Sequence, residues 1–456
     1  MCGIVGYVGY DEAAGKIIEG LKKLEYRGYD SSGIAILSDK GIELNKCKGE
    51  IKNLENMIAG KVPSGTCGIG HTRWATHGAP SDVNSHPHMD QSGRVALVHN
   101  GIVENYVELK EALVNEHGIK FKSETDSEVI AQLVGVKYNA NGGDLEKAVY
   151  DATKEMRGTY AIGVIAEDTP NKIVAYRKEA PLIAGLGKKS NFIASDIPAL
   201  LKYTNDIFLI ENDEMVICTP DSITIKDKDG KEVKREAMKI TWSVEDAEKG
   251  GYEHFMLKEI NEQPKVVAET LNRRIDEDGK IKLDGINLTK EELDKYNKIY
   301  IVACGTAYHA GLVGKYVIEK MAGIAVEVDV ASEFRYRDPF IDEKTLFIAI
   351  SQSGETLDTL MSLRLAKEKG ARVLSVVNVV GSSIARESDD VFYTWAGPEI
   401  AVASTKAYTT QLVCMYLIAL YLGDIRGTLT DEYRKFILEE LQQIPEKIQE
   451  ILEEAP

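Results

Sequence analysis

From Lys298 onward, short apolar runs alternate with amphipathic helical segments at a spacing that constrains the fold closely. The apolar runs are 299–303, 345–350 and 373–377, and each is followed by turn residues or a helix. Because a helix between consecutive strands returns the chain to the same edge of a sheet, this spacing predicts an α/β doubly wound, flavodoxin-like parallel sheet. We expect this domain to cover residues 286–428, with a connecting helix over 429–456.

The first 240 residues show a different pattern of predicted strands and helices. Short β-favouring runs end at Gly or Asn and are separated by helical stretches such as 13–24 and 126–138; the runs are 4–8, 33–37, 94–98 and 160–164. Strands in groups with helices between them predict a layered α+β domain over residues 1–240. Residues 241–285 are polar and charged and contain Pro264, which is typical of a linker with one or two helices.

Charge and cysteine usage exclude several classes of protein. A net charge of −17 argues against nucleic-acid binding, since phosphate contacts need clustered Lys and Arg. The six cysteines are scattered without a C-x-x-C pair, which favours a reducing compartment. There is no signal-peptide pattern, and the longest apolar run, 412–422, is too short to cross a bilayer and predicts a buried helix. We therefore expect a cytoplasmic protein without nucleic-acid or membrane partners.

Cys2 is the first candidate for chemistry. Removal of Met1 would place the Cys2 thiol beside its own α-amine, whose pKa is roughly 7.7–8.0. Such an amine can take up the thiol proton directly or through water, which produces an N-terminal nucleophile. The simpler alternative is a small buried residue in the first strand, so the neighbouring motifs must decide between the two.

Three groups suited to one substrate occur further along. Arg73 could bind an α-carboxylate through a bidentate pair, and Asp126 could bind an ammonium group. Asn100 and Gly101 could supply a side-chain amide and a backbone N–H, the two donors of an oxyanion hole. A thiol among such groups predicts a site for an amino acid with a cleavable side-chain amide.

Five segments of the first domain resemble the glutaminase domain of class II amidotransferases. They are CGIVG at 2–6, LEYRGYDS at 24–31, HTRWATHG at 71–78, NSHPH at 84–88 and NG at 100–101. The resemblance implies an N-terminal-nucleophile hydrolase sandwich with αββα layers. It also implies that Cys2 is the nucleophile, that Asn100 and Gly101 form the oxyanion hole, and that glutamine is bound by Arg73, Trp74, Thr76, His77 and Asp126.

A zinc site is the alternative interpretation of this region, because five of the eight histidines lie between His71 and His99 and Cys67 is nearby. The sequence has neither H-E-x-x-H nor paired-cysteine spacing. The similar family uses no metal here. We expect neither a metal nor a cofactor.

The second candidate site is SQSGET at 351–356, between a predicted buried strand and a helix. Its three hydroxyls and the free amides of a helix N-terminus could bind an anion. Ordinary helix capping by Ser353 explains the local pattern equally well. The chain contains no Walker A motif, and no G-x-G-x-x-G follows the strands.

Four segments of the second domain resemble the first sugar isomerase (SIS) domain of the glutamine–fructose-6-phosphate aminotransferase family. They are ACGT at 303–306, ASEFRYR at 331–337, SQSGET at 351–356 and VASTK at 402–406. The resemblance implies that the sugar phosphate is bound by Thr306, Ser351, Gln352, Ser353 and Thr356, and that Val402 and Ser404 line the sugar. Ala307 stands where the family often has Ser, which puts one hydrogen bond to the ligand in question.

The resemblance implies an enzyme that converts fructose 6-phosphate and glutamine to glucosamine 6-phosphate and glutamate, and a homodimer formed through SIS domains. In the family, a second SIS unit and a C-terminal tail supply the Glu, His and Lys of the isomerase reaction. We do not locate these before Pro456. From these 456 residues we therefore expect glutamine hydrolysis and partial sugar-phosphate binding, without amination of the sugar.

Two other functions are alternatives to this one. Other class II amidotransferases would need an S-G-G-x-D-S loop, as in asparagine synthetase, or an acidic phosphoribosyl-pyrophosphate loop, and neither pattern occurs. The non-enzymatic alternative is a sugar-phosphate-binding regulatory module with a residual glutaminase fold.

Overall fold

The chain divides into two units, Met1–Val244 and Glu245–Pro456. The computed structural model describes residues 2–75, 77–240, 249–272, 274–275, 280–283, 285–286 and 288–455.

Antiparallel strands form two sheets in the first unit. The strands are β1 (Gly3–Gly9), β2 (Ser31–Ser38), β3 (Gly41–Lys48), β4 (Cys67–Arg73), β5 (His88–Met89), β6 (Val95–Val103), β7 (Gly158–Ala166), β8 (Ile173–Lys178), β9 (Ile183–Leu186), β10 (Ser190–Ala194), β11 (Asp206–Leu209), β12 (Glu214–Cys218), β13 (Ile223–Lys226) and β14 (Met238–Lys239). The first sheet has the order β14-β11-β9-β10-β1-β4-β2-β3 and the second the order β13-β12-β8-β7-β6-β5.

The helices of the first unit cover the outer faces of both sheets. They are α1 (Ala13–Lys22), α2 (Ile51–Ile58), α3 (Tyr106–His117), α4 (Asp126–Ala140) and α5 (Leu145–Glu155). Helix α1 packs on β1 and β4 of the first sheet, and α4 packs on β6 of the second. Gly70 of β4 gives α1 room, because an added Cβ would lie 2.4 Å from Ile17 Cγ2.

The core between the sheets follows from the alternation of side chains along each strand. Ala96 of β6 lies in a core with Ile4 of β1, whereas its neighbour Leu97 lies in a core with Val129 of α4. Successive residues of a strand point to opposite faces, so β6 is buried between the first sheet and the helices. The predicted αββα sandwich is confirmed.

Strand β1 lies in the middle of the first sheet, where it pairs with β10 and β4. Gly3 is opposite Thr72 in this register, and a Cβ on Gly3 would lie 2.7 Å from Thr72 Oγ1. The absence of a side chain at Gly3 therefore allows the start of β1 to approach the end of β4. This places Cys2 beside Arg73 and Trp74.

The second unit is an α/β domain. Its elements are α6 (Phe255–Asn272), α7 (Lys290–Leu293), β15 (Lys298–Ala303), α8 (Gly305–Ala322), β16 (Ala325–Val330), α9 (Ala331–Phe334), β17 (Thr345–Ser351), α10 (Leu357–Glu368), β18 (Arg372–Val377), α11 (Ser383–Glu387), β19 (Asp390–Tyr393), α12 (Lys406–Arg426) and α13 (Asp431–Glu454). The strands are parallel and have the order β16-β15-β17-β18-β19, which is the flavodoxin-like order 2-1-3-4-5. The predicted doubly wound sheet is confirmed, and its switch point lies between β15 and β17.

Helices cover both faces of this sheet. Ile301 of β15 lies in a core with Leu417 of α12, while the adjacent Val302 lies in a core with Leu363 of α10. By length and composition α12 could cross a membrane, but 61% of its apolar window is buried inside the unit. This agrees with the prediction that the apolar run 412–422 forms a buried helix.

Pro264 lies inside a helix and does not end it. Helix α6 continues through Pro264 and buries Val267 and Leu271 in the core that contains α12. A proline inside a helix costs about 3 kcal/mol. Burial of two aliphatic side chains contributes about 1.5–3 kcal/mol each, which is sufficient to offset that cost.

Candidate functional site

The Cys2 thiol lies against the main chain of Trp74, just beyond the end of β4. The Trp74 N–H donates to Cys2 Sγ over 3.2 Å, and Sγ donates to the Trp74 carbonyl oxygen over 3.5 Å. Burial raises the pKa of the Cys2 thiol, and the Trp74 N–H acts in the opposite direction. A main-chain donor aimed at the sulfur favours the thiolate, which is the nucleophilic form.

Asn100 of β6 comes from the second sheet and contacts Cys2, and Gly101 follows it on the same strand. The Asn100 Nδ2 donates to the Cys2 carbonyl oxygen over 3.1 Å. Gly101 has φ +125°, and a Cβ there would lie 2.0 Å from the Thr159 carbonyl oxygen. Only glycine fits this backbone, so the close approach of the Gly101 main chain depends on residue type.

Arg73 is 3% exposed and is the buried cation of the site. Its Nη2 donates to the carbonyl oxygens of His77 and Gly78, the latter over 3.0 Å. Its Nη1 lies 4.0 Å from Asp30 Oδ1 and has no hydrogen-bond partner within the described part of the chain. A substrate carboxylate would satisfy the unused Nη1 donor, because hydrogen bonds between guanidinium and carboxylate groups are charge-assisted.

Asp126 begins α4 and supplies the buried carboxylate of the site. Its Oδ2 accepts a hydrogen bond from the Val103 N–H over 3.0 Å, and its Oδ1 accepts from the Ser127 hydroxyl over 3.3 Å. Thr125 caps the helix by accepting from the Glu128 N–H. The carboxylate is thereby fixed in orientation at a helix N-terminus, where the helix dipole favours negative charge.

The remaining residues of the predicted glutamine pocket are placed as follows. The Trp74 side chain is 44% exposed and contacts the Tyr29 ring edge to face, with centroids 5.5 Å apart. The His77 ring contacts Tyr106 in the same manner at 5.4 Å. Thr76 lies outside the described residues.

Four histidines of the region are buried together rather than spread around a cavity. The rings of His71 and His86 stack at 4.0 Å, and His86 in turn contacts His88 and His99. Burial lowers the pKa of His71 to about 3, and the pKa values of the other three are lowered for the same reason. These rings are therefore neutral. Among the residues that the structure describes, no three His, Cys, Asp or Glu side chains form a metal-binding group.

Arg27 contacts the main chain of Cys2 but was not singled out from the sequence. Its Nε donates to the Cys2 carbonyl oxygen over 3.3 Å, and its guanidinium pairs with Asp196. The Cys2 carbonyl thus accepts from both Arg27 and Asn100. The segment LEYRGYDS carried the signal, but no local pattern linked Arg27 to Cys2.

The segment 351–356 of the second unit forms a tight turn at the switch point of the sheet. Ser351 Oγ accepts from the Gly354 N–H over 3.0 Å and hydrogen-bonds to Thr356 Oγ1 over 3.0 Å. Ser353 Oγ accepts from the Glu355 N–H over 3.2 Å, and Thr356 is the N-cap residue of α10. Ser353 is therefore not the cap of α10, and no cap bond from the Thr356 side chain occupies the first amides of that helix.

Other predicted sugar-phosphate residues lie on neighbouring segments. Gln352 is half-buried within the turn, and Thr306 is exposed in the first turn of α8, after β15. Ala307 is buried.

Two carboxylates that the sequence did not indicate, the buried Glu259 and the half-buried Glu399, hold the segment 399–405. Glu399 accepts from the N–H groups of Thr405 and Ala407 and from the Ser404 hydroxyl, the last over 2.9 Å. Glu259 of α6 accepts from the N–H groups of Ile400 over 2.6 Å and Ala401 over 3.1 Å. Val402 is 75% exposed on this segment. The predicted sugar contacts Val402 and Ser404 are thus on a loop anchored at both ends.

Comparisons with known proteins match both units. Residues 71–202 match the glutamine amidotransferase domain family, and residues 292–421 match the SIS domain family. A Clostridium tetani protein named glutamine–fructose-6-phosphate aminotransferase [isomerizing] is 59% identical over 453 residues, which cover 99% of this chain and 74% of that protein. A Clostridium perfringens protein of the same name is 58% identical over 452 residues, covering 99% and 73% respectively.

A solved structure described as the C-terminal domain of glucosamine-fructose-6-phosphate aminotransferase from Francisella tularensis is also similar. It is 48% identical, with a TM-score of 0.41, and the match covers 43% of this chain and 55% of that one.

Proposed function

The chain belongs to the glutamine–fructose-6-phosphate aminotransferase (isomerizing) family, and from this premise we propose that its first unit hydrolyses glutamine and its second unit binds fructose 6-phosphate. It is a glutamine amidotransferase enzyme whose domains fit the synthesis of amino sugars. The ammonia released from glutamine supplies the amino nitrogen of the product, glucosamine 6-phosphate.

The hydrolysis begins at Cys2. The sulfur attacks the carbon of the glutamine side-chain amide, and the carbonyl oxygen becomes an oxyanion that accepts from Asn100 Nδ2 and the Gly101 N–H. The C–N bond then breaks, and the proton from the thiol leaves with the nitrogen as ammonia. Water attacks the resulting thioester, the C–S bond breaks, and glutamate is released.

Substrate recognition uses opposite charges at the two ends of the amino-acid group. Arg73 binds the α-carboxylate through its unused Nη1 donor, and Asp126 binds the α-ammonium group. Trp74 and His77 contact the side of the substrate. Thr76 is included from the family resemblance alone.

The sugar phosphate binds at the carboxyl ends of β15 and β17, as ligands commonly do at a switch point. The hydroxyls of Thr306, Ser351, Ser353 and Thr356 and the amide of Gln352 hold the phosphate, together with the first amides of α10. Val402 and Ser404 contact the sugar. This arrangement binds an anion without a lysine, which suits a chain with a net charge of −17.

Further parts of the proposal concern assembly and location. We infer a homodimer formed through SIS domains and a cytoplasmic location, the latter supported by six cysteines that are free in the structure. We propose no metal or cofactor for either unit.

The geometry that carries the glutaminase proposal is the placement of Asn100 Nδ2 and the Trp74 N–H around Cys2. An electrophilic glutamine analogue is expected to add one equivalent at Cys2 and to leave the other five cysteines unmodified, as read by peptide mapping. Cys2→Ser should abolish glutamate release, because an alcohol is a far poorer nucleophile near neutral pH. Cys304→Ser, in the second unit, is the matched control and should retain hydrolysis. Labelling at Cys67 or Cys304 in place of Cys2 would overturn the assignment.

A further inference from the structure

His71 lies on β4 in the first sheet and contacts Asn100 on β6 in the second. The His71 side chain is fully buried, with 0% exposure. Its Nε2 lies 2.9 Å from the His99 carbonyl oxygen and 3.0 Å from Asn100 Oδ1. One ring nitrogen therefore bridges two oxygen atoms of consecutive residues.

The hydrogen-bond partners fix the protonation of this nitrogen. The His99 carbonyl can only accept, so His71 Nε2 must carry the hydrogen. A donor at Nε2 requires that the facing Asn100 atom be its oxygen, which directs the Asn100 Nδ2 group to the other side. Nδ2 does meet an acceptor there, the Cys2 carbonyl oxygen at 3.1 Å. The donors and acceptors are consistent at every step.

The orientation of Asn100 matters because its last side-chain torsion is intrinsically soft. A terminal amide has a broad, roughly two-fold torsional preference, so rotation by 180° is opposed only by its surroundings. Such a rotation would exchange Nδ2 for Oδ1 beside Cys2. An oxygen in that position would repel a developing oxyanion instead of donating to it.

We propose that His71 is a positioning residue of the glutaminase reaction, which holds Asn100 Oδ1 so that Asn100 Nδ2 faces the reacting carbonyl. The inference rests on the proposed function of the first unit. The hydrogen bonds described for the His71 side chain join it to His99 and Asn100, so His71 acts through Asn100. Its other ring nitrogen, Nδ1, is buried and has no partner among the described residues, so Nε2 is the nitrogen at which a hydrogen is satisfied.

A double-mutant cycle tests whether His71 acts through Asn100. His71→Leu removes the donor, and we expect kcat for glutamine hydrolysis to fall by about 10- to 100-fold with KM little changed, since loss of an oxyanion donor acts on the transition state. In the Asn100→Ala background, His71→Leu should have no further effect on kcat. His71→Gln, whose amide N–H can reach the position of Nε2, should recover most of the activity.

Loss of stability must be separated from loss of orientation. His86→Asn is the matched control, because it removes the ring stacked on His71 but keeps an acceptor for the His99 N–H, which His86 Nδ1 binds at 3.3 Å. This variant should lower Tm while kcat stays near that of the wild-type chain. If the fold decrease in kcat of the double variant equalled the product of the decreases in His71→Leu and Asn100→Ala, the proposal would be overturned.

A measurement that does not depend on activity completes the test. The ¹⁵N chemical shifts of labelled histidine, assigned with His71→Gln, report which ring nitrogen carries the hydrogen. We expect the Nε2–H form at His71, and an Nδ1–H form would overturn the inference. If the wild-type chain hydrolysed no glutamine, the proposed function would fail, and the ¹⁵N result would still decide the orientation of His71.

Discussion

The main-chain N–H of Trp74 donates to the sulfur of Cys2 across 3.2 Å. Cys2, the proposed nucleophile, is therefore held by the backbone at the end of β4, whereas the indole ring of Trp74 is 44% exposed. Family resemblance pointed to Trp74 as a pocket residue, but a backbone contact leaves no trace in residue type. The position of the thiol follows from the pairing of β1 with β4.

Arg73→Lys is expected to weaken glutamine binding while leaving the chemistry largely intact. Lysine keeps the charge but not the planar pair of donors that matches a carboxylate. Hydrogen bonds to charged groups contribute about 1.5–3 kcal/mol, so KM for glutamine should rise by about 10- to 100-fold. Steady-state kinetics measures this, with Arg94→Lys, which lies in an exposed pair with Asp168, as the control that leaves KM unchanged. An unaltered KM in Arg73→Lys would contradict carboxylate binding at this residue.

Gly354→Ala should disrupt the turn at 351–356, where we propose that the phosphate binds. Gly354 has φ +64°, and a Cβ would lie 2.0 Å from Ser382 Oγ. Gly323 is a matched control, since it has φ +63° with nothing near its Cβ position, and Gly323→Ala should cost only about 1–2 kcal/mol. A ligand at about 100 times Kd stabilises a folded protein by about 2.7 kcal/mol, which raises its Tm. Fructose 6-phosphate should therefore raise the Tm of the wild-type chain and of Gly323→Ala, but not that of Gly354→Ala. Retention of the full ligand-induced increase would place the phosphate elsewhere.

The histidine cluster should make the first unit sensitive to acid. Burial lowers the pKa of His71 to about 3 and also lowers the pKa values of His86, His88 and His99, so these rings take up protons only on unfolding. The stabilisation is thus fully present above the unfolded histidine pKa of about 6.5 and is lost as pH falls toward the folded values. Each histidine contributes a slope of at most about 1.4 kcal/mol per pH unit in that window.

Pulse proteolysis in denaturant between pH 5 and pH 8 measures this dependence through peptides of β4 and β6. His86→Asn should reduce the slope by the share of one group, whereas His117→Gln, at an exposed position, should not. A slope that is the same in all three proteins would contradict the assignment.

Glu259→Gln should become more stable than the wild-type chain as pH rises. Burial raises the pKa of Glu259 although two backbone N–H groups bind its Oε1. A raised folded pKa means that the contribution of the carboxyl to stability is present at low pH and is lost as pH rises through that pKa. Glutamine keeps the acceptor and carries no charge. Between pH 5 and pH 9 the Tm of Glu259→Gln should therefore rise increasingly above that of the wild-type chain. Glu253→Gln, at an exposed residue, should follow the wild-type curve. Parallel curves for Glu259→Gln would exclude a buried charge.

The sequence predicted most reliably what is decided locally. The strands at 299–303 and 345–350 and the helices after them were correctly identified, because each strand–turn–helix pattern is complete within about thirty residues. The continuation of α6 through Pro264 was not predicted, because it depends on packing against α12, more than a hundred residues away.

The candidate site shows the same limit. Arg73 and Asn100 were identified because motifs carry them, although their roles remain predictions. Arg27, His71 and Glu259 were missed because their contacts join residues that are 25, 29 and 141 positions apart. No periodicity or local motif reports such pairs.

Cys2 and Asn100, the proposed nucleophile and oxyanion donor, belong to different layers of the sandwich. Cys2 precedes a strand of the first sheet, while Asn100 is part of the second, and the 3.1 Å bond between them crosses the interior. The rate of glutamine hydrolysis should consequently depend on the correct packing of the two sheets against each other. In a molten globule the strands and helices remain but the packing of the two sheets against each other is lost. Such a chain would stop hydrolysing glutamine while its far-UV circular dichroism was still unchanged.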